Sequence, residues 1–193
     1  MAEKAKSIRE LFQGISIGDK SAFNELFLSH YDRLQGFAMQ YLKQEEDSEE
    51  VTSELFVKVW LRRKELDTIQ NPEVYLYVSV KNACLNVLKK LGRQSMLHFD
   101  DLKEEELNFV VAASPHDLLE YKQLRSELDQ VVNALPEQRR LIFKLVKEDG
   151  LKCREVAEIL GISVRTVESQ VYKAVKTLAD QLSSFYFFTK AGK

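Results

Sequence analysis

The sequence predicts an all-α fold: two small helical domains joined by a flexible linker, the second carrying a helix-turn-helix. Three observations predict it. Apolar residues recur at three- and four-residue steps through most of the chain, the period of a helix buried along one side. Glycine and proline are few, 7 and 3 of 193 residues, which disfavours Gly-rich β architectures. The helical pattern is interrupted between residues 93 and 116, where an acidic run, Asp100 to Glu106, is followed by the stop Ala112-Ala113-Ser114-Pro115. Hydrophobic content of 45% suffices for a packed core.

The first element is a short stripe, Ile8, Leu11, Phe12 and Ile15. A longer one follows at Phe23, Leu26, Phe27, Tyr31, Leu34, Phe37, Ala38, Tyr41 and Leu42, with Asp19 or Ser21 as the start signal. Glu45 to Glu50 is acidic, and Asp47 with Glu50 three residues on resembles a capping box ahead of the helix Val51–Arg63. That helix carries Val51, Leu55, Phe56, Val59 and Trp60 on one side. Asn71-Pro72 opens the next, with Asn71 as cap and Pro72 in the first turn. Its apolar face is Leu76, Val80, Ala83, Val87, Leu88 and Leu91, and Gly92 ends it. Residues 1–94 are therefore one predicted domain, 95–116 the linker and 117–193 the second domain. The second domain begins with a helix from Leu118 to Val132. Another starts at Pro136, carries Leu141, Ile142, Leu145 and Val146, and stops at Gly150. Two shorter helices and an aromatic tail, Phe185-Tyr186-Phe187-Phe188, complete it.

Several function classes are set aside on composition. The net charge of −2 excludes a polycationic nucleic-acid coat, so any DNA contact must use local basic patches. Cys84 and Cys153 stand far apart, without metal-ligand or disulfide spacing. No signal core follows the N-terminus, and no apolar run approaches the about 18 residues of a membrane span. The expectation is a cytoplasmic protein with no membrane insertion. His30, His98 and His116 are scattered, and there is neither a Gly-rich phosphate loop nor a nucleophile elbow. No enzyme, no metal and no cofactor are expected.

The strongest functional signal lies between Cys153 and Lys176. Arg154–Leu160 is a short amphipathic helix, Gly161-Ile162-Ser163 a tight turn, and Val164–Lys176 a second helix with Ser163 as N-cap. Ala157 is small where two helices cross, Gly161 suits a positive φ, and Val167 and Val171 pack back on the first helix. Such a unit lays its second helix in the DNA major groove. The predicted outward arc is Arg165, Thr166, Ser169, Gln170 and Lys173. Ser169 and Gln170 are placed for base edges, Arg165 and Lys173 for phosphates. Glu168 is discordant against phosphate. Arg139, Arg140, Lys144, Lys147, Lys152 and Arg154 add positive charge nearby.

A second nucleic-acid surface is suggested from Tyr75 to Ser95, which holds four basic residues (Lys81, Lys89, Lys90, Arg93) and no acid. Tyr75, Val78, Asn82, Asn86 and Lys89 fall opposite the apolar face. Aromatic, amide and basic groups together suit single-stranded nucleic acid, where bases stack and phosphates need cations. Residues 45–54 hold six carboxylates and no base, so that face suits a basic protein partner or is a solvated helix start.

These segments, in this order, resemble the bacterial sigma factors of the extracytoplasmic-function group, a branch of the sigma-70 family. Asp47 to Trp60 resembles the family's core-polymerase docking motif. Tyr75 to Lys90 resembles the helix behind minus-ten recognition, Leu135 to Arg140 the entry to the C-terminal domain, and the helix-turn-helix the minus-thirty-five reader. Ser53 stands where Gln is common, Tyr75 where Trp is frequent, Lys152 where a Ser-type cap is frequent, and Glu168 and Gln170 where basic residues are common. The resemblance implies an alternative sigma factor that lends promoter specificity to core RNA polymerase and helps melt the start site. Asp47, Glu50 and Glu54, supported by Leu55 and Phe56, are then the polymerase docking residues. Asn71, Tyr75, Lys81, Asn82, Asn86, Lys89, Lys90 and Arg93 are the minus-ten residues. Ser163, Arg165, Thr166, Ser169, Gln170 and Lys173 are the minus-thirty-five residues. Partners implied are core RNA polymerase, promoter DNA and an anti-sigma factor, with a monomer when free. Two other readings stay open at this point: a stand-alone helix-turn-helix regulator acting as a dimer, and a helical adaptor that binds no DNA.

Overall fold

The computed structural model describes residues 6–93, 97, 99 and 121–190; within 121–127 and 182–190 it describes the helical backbone alone. The predicted linker 95–116 lies almost wholly outside the described residues, and the aromatic side chains of the tail lie outside them too. Among the described residues every regular element is helical. The helices are α1 (Ile8–Ser16), α2 (Lys20–Leu42), α3 (Glu45–Leu61), α4 (Pro72–Lys90), α5 (Tyr121–Ala134), α6 (Glu137–Lys147), α7 (Cys153–Leu160) and α8 (Val164–Lys190), with a 3-10 turn at Arg63–Thr68. The chain divides into two compact units, the first carrying α1–α4 and the second nearly all of α5–α8.

In the first unit the caps explain where helices begin. Ser7 and Glu10 form a reciprocal capping box on α1, with the Ser7 N–H donating to the Glu10 carboxylate at 2.7 Å. The Ser21 and Ala22 N–H groups donate to Asp19 Oδ1 at 2.8 and 3.3 Å, so Asp19 is the start signal of α2. The Val74 N–H donates to Asn71 Oδ1 at 3.4 Å, as the Asn-Pro pair predicts. The start of α3 corrects the expectation. It begins at Glu45 after Gln44, with no side-chain cap, so Asp47 sits in its first turn and is not the cap. Three acids in that turn suit the positive end of the helix dipole instead.

The first core is built mainly from the predicted stripes. Leu26, Leu34, Val59, Leu76 and Val80, joined by Leu66 of the 3-10 turn, are each at most 1% exposed. Full burial of one such side chain contributes about 1.5–3 kcal/mol. Phe56 is ringed by Phe23, Phe27 and Tyr31, at centroid distances of 6.3, 4.9 and 6.0 Å. His30 is buried on α2 and its Nε2 lies 3.4 Å from Glu73 Oε1, tying α2 to the first turn of α4. At the other end of α4, Leu91 is exposed rather than core, and Gly92 turns the chain with φ of +64°.

In the second unit Val131, Val132 and Leu135 pack with Phe143, Ala174 and Leu178 into one apolar cluster. α8 is a single helix reaching Lys190, longer than the predicted short helix. The predicted tail is its continuation.

Candidate nucleic-acid interface

The helix-turn-helix forms where the sequence places it. Gly161 closes α7 with φ of +75°, a conformation that strains any residue bearing a Cβ. The Thr166 N–H donates to Ser163 Oγ at 3.0 Å, so Ser163 is the N-cap of α8. Lys152 offers α7 no acceptor; the Glu155 carboxylate takes the Lys152 backbone N–H at 2.9 Å.

The outward arc of α8 needs correction. Arg165 is exposed and Lys173 half-buried, but Thr166, Ser169 and Gln170 are buried, at 5, 0 and 3% exposure. A helix turns about 100° per residue, so Gln170 stands beside Val167 and Ala174 on the packed side. There its Oε1 accepts from Arg139 Nε at 3.1 Å, joining α8 to α6. The Thr166 hydroxyl lies 2.8 Å from the Ser163 hydroxyl, tucked into the cap. The Ser169 hydroxyl is buried without a hydrogen-bond partner among the described atoms. Meanwhile Glu168 and Lys176 are exposed and Tyr172 half-buried. Tyr172 and Lys176 share the side of Arg165 by the same 100° step, and the sequence reading passed over both.

The basic residues around this unit divide. Arg139 is engaged by Gln170, Arg140 donates to the Asn133 carbonyl at 2.7 Å, and Lys144 faces Glu148 at 4.0 Å. Lys147, Lys152 and Arg154 are exposed.

On α4 the expected separation of faces holds in part: Ala83 and Val87 of the expected apolar side and Val78 of the opposite side are only half-buried, and Cys84 joins the core instead. Asn82, Asn86, Lys89, Lys90 and Arg93 are exposed, while Leu76, Val80, Cys84 and Leu88 are buried opposite. Lys81 is half-buried, and that burial pulls its pKa below the usual lysine value. Tyr75 is half-buried because its ring stands edge-on to Phe12 of α1, with centroids 6.2 Å apart. Asn71 is occupied as the α4 cap.

The acidic side of α3 presents Glu50 and Glu54 to solvent, with Asp47 half-buried. Lys58 donates to Glu54 at 2.8 Å, and this bond with its charge lowers the Glu54 pKa. Leu55 and Phe56, expected to support docking, are 5 and 2% exposed and lie beneath the surface. The apolar surface is supplied by Val57 and Leu61, 57 and 70% exposed. These two border a groove of about 620 Å³ between α2 and α3, floored by Phe23, Phe27, Phe56 and Trp60. Val57 and Leu61 could have been found from the sequence as the apolar residues left off the core stripe. Among the described residues no cluster of three or more metal-binding side chains occurs.

Comparison with known proteins places these segments. The family model for sigma-70 region 2 matches residues 26–94, and that for sigma-70 region 4 matches residues 125–178. The chain is 27% identical to the ECF RNA polymerase sigma-E factor of Haemophilus influenzae over 191 residues, 94% of this chain and 98% of that relative. It is 26% identical to the sigma-E factor of Escherichia coli over 181 residues, 89% of this chain and 92% of that one. Among solved structures, CnrH in complex with the cytosolic domain of CnrY shares the fold, with a TM-score of 0.53, 20% identity, and coverage of 93% of this chain and 99% of that chain.

Proposed function

The chain belongs to the sigma-70 family, in its extracytoplasmic-function group, and is an alternative sigma factor that directs transcription initiation by core RNA polymerase; from that premise we propose how its surfaces divide the work. Its activity is promoter selection rather than catalysis. The matches favour this over a stand-alone helix-turn-helix regulator, because region 2 is matched as well as region 4.

Residues 1–94 act as the domain that docks on polymerase and meets the minus-ten element, 95–116 as the linker, and 117–193 as the minus-thirty-five domain. Glu50 and Glu54, with Asp47 behind them and Val57 and Leu61 beside them, dock on the coiled coil of the largest polymerase subunit. Carboxylates supply the steering charge and the apolar pair the buried contact. The exposed face of α4 holds the unpaired non-template strand: Lys89, Lys90 and Arg93 on phosphates, Asn82 and Asn86 on bases. Tyr75 and the loop from Thr68 to Pro72 shape the entrance. The N-terminal end of α8 enters the major groove at the minus-thirty-five element, where Arg165 and Lys173 hold phosphates. The single observation that supports this division most is the α4 surface from Tyr75 onward: exposed cations and amides with no carboxylate beyond Glu73 of the first turn, which pairs with His30, all backed by a packed core.

The free chain is a cytoplasmic monomer in this reading and binds promoter DNA weakly. Two modest contacts become one bivalent contact when polymerase sets their spacing. Among the described residues no helix is long and apolar enough to cross a membrane. CnrH was solved with a second protein bound, the cytosolic domain of CnrY. An anti-sigma protein that silences the present chain is the corresponding proposal. Copurification with core polymerase, followed by run-off transcription, tests the reading. A promoter-specific transcript that needs both components is expected. Tight, site-specific binding by a free dimer, with no transcript, would overturn it.

A further inference from the structure

The helix α1 lies before the segment matched by the region 2 model, which starts at residue 26, and the docking and DNA surfaces above leave it without a task. Its charge pattern is odd. Arg9 stands in the first turn, where the positive end of the helix dipole disfavours a cation. Glu10, the neighbour that suits that end, is turned back onto Ser7 in the capping box. Arg9 instead reaches across 61 residues of sequence, and its guanidinium donates to the backbone carbonyl of Gln70 at 2.5 Å.

Gln70 is the centre of the short connection between the 3-10 turn and α4. On one side the Ile69 N–H donates to the Leu66 carbonyl at 3.2 Å; on the other the Tyr75 N–H donates to the Asn71 carbonyl at 3.0 Å. Each is a bond within the local chain. The Gln70 carbonyl is tied from another element. Two residues along from Arg9's neighbour Glu10, Phe12 is 1% exposed and meets the Tyr75 ring edge-on, on the first turn of α4. α1 therefore touches the loop and the start of the helix behind it, through one hydrogen bond and one aromatic contact.

We propose that α1 is a brace for the strand-capturing loop: Arg9 is a positioning residue that fixes the Ile69–Asn71 backbone, so that the loop meets the unpaired minus-ten strand in one conformation. The inference rests on the minus-ten reading of α4. A loop held before DNA arrives loses less conformational entropy on binding. Arg9 acts through the Gln70 carbonyl, with no contact to DNA of its own.

The test uses the full chain assembled with core polymerase on a promoter. Arg9→Ala should leave core affinity unchanged and lower the melting temperature only slightly, since a single exposed hydrogen bond is lost. It should lower the yield of permanganate-reactive open complex about three- to tenfold, the range of one ordinary net hydrogen bond. Arg9→Lys, which still offers a donor, should restore part of that yield. The salt dependence of promoter binding is the discriminating readout. A brace leaves its slope unchanged, whereas a direct phosphate contact contributes about 0.7–0.9. A slope lowered by that amount in Arg9→Ala, or an open-complex yield equal to the parent's, would overturn the inference. The double variant Lys89→Ala, Lys90→Ala runs alongside. If it too leaves the open complex unchanged, the minus-ten reading of α4 fails; if it alone lowers the yield, only the brace fails.

Discussion

α4 and α8 are both helices proposed to meet DNA, and they treat their polar residues differently. On α4 the core takes Leu76, Val80, Cys84 and Leu88, and the polar positions Asn82, Asn86, Lys89 and Lys90 are left to solvent. On α8 the polar residues are drawn into the structure: Gln170 holds Arg139, and the Thr166 hydroxyl lies against the cap. Polarity at helical spacing thus marks a free surface only when the apolar residues suffice to fill the core. In the second unit, α8 packs with Val167, Ala174 and Leu178, and Gln170 completes that side with a hydrogen bond.

Each unit carries one cysteine, which makes the contrast measurable and gives the largest expected effect. Cys84 on α4 is fully buried, and burial pushes its thiol up to about 12. Cys153 at the start of α7 is half-buried; burial first, then the Glu168 charge, raises its pKa. Since the thiolate is the nucleophile, alkylation of the native protein near about pH 8 should modify Cys153 about a hundredfold or more faster than Cys84. Peptide mass spectrometry reads the ratio; equal rates would mean that the first unit opens readily enough to expose Cys84. The sign of the pH effect follows. The folded state keeps the Cys84 proton that the unfolded chain releases, so the first unit loses stability as pH rises from about 9 toward about 12. Cys84→Ala should flatten that decline in a pH series of melts.

The next largest effect lies on the acidic side of α3. Replacing Asp47 and Glu50 with Lys should weaken binding to core polymerase about tenfold or more, through reversed steering charge, while helicity by circular dichroism stays the same. Unaltered affinity in a binding titration would remove α3 from the docking surface. Smaller again is the α8 effect. Gln170→Ala should destabilise the second unit by about 1 kcal/mol, because Arg139 loses its partner, whereas Asn86→Ala on α4 should stay within about 0.5 kcal/mol. Denaturant melts compare the two. Equal, negligible losses would return Gln170 to the free surface that its polarity first suggested.

Much of this was legible in the residues. Apolar steps located the helices, and Asp19, Asn71 and Ser163 marked starts that the structure keeps. Three features were not legible, for physical reasons. The first turn of α3 is wholly polar, so no apolar period marks its start, and Asp47 with Glu50 mimics a cap one turn late. The 3-10 turn Arg63–Thr68 buries only Leu66, too little for a pattern. The bond between Arg9 and the Gln70 carbonyl joins a side chain to a backbone atom, which leaves no trace in side-chain spacing.

The central claim is that the exposed face of α4, set apart from its core, holds the melted strand. The salt dependence of open-complex formation by the Lys89→Ala, Lys90→Ala variant on core polymerase tests it most directly. Loss of two phosphate contacts predicts a log–log slope reduced by about 1.4–1.8, with weaker permanganate reactivity in the bubble and unchanged core affinity. A slope and a bubble identical to the parent's would contradict the claim.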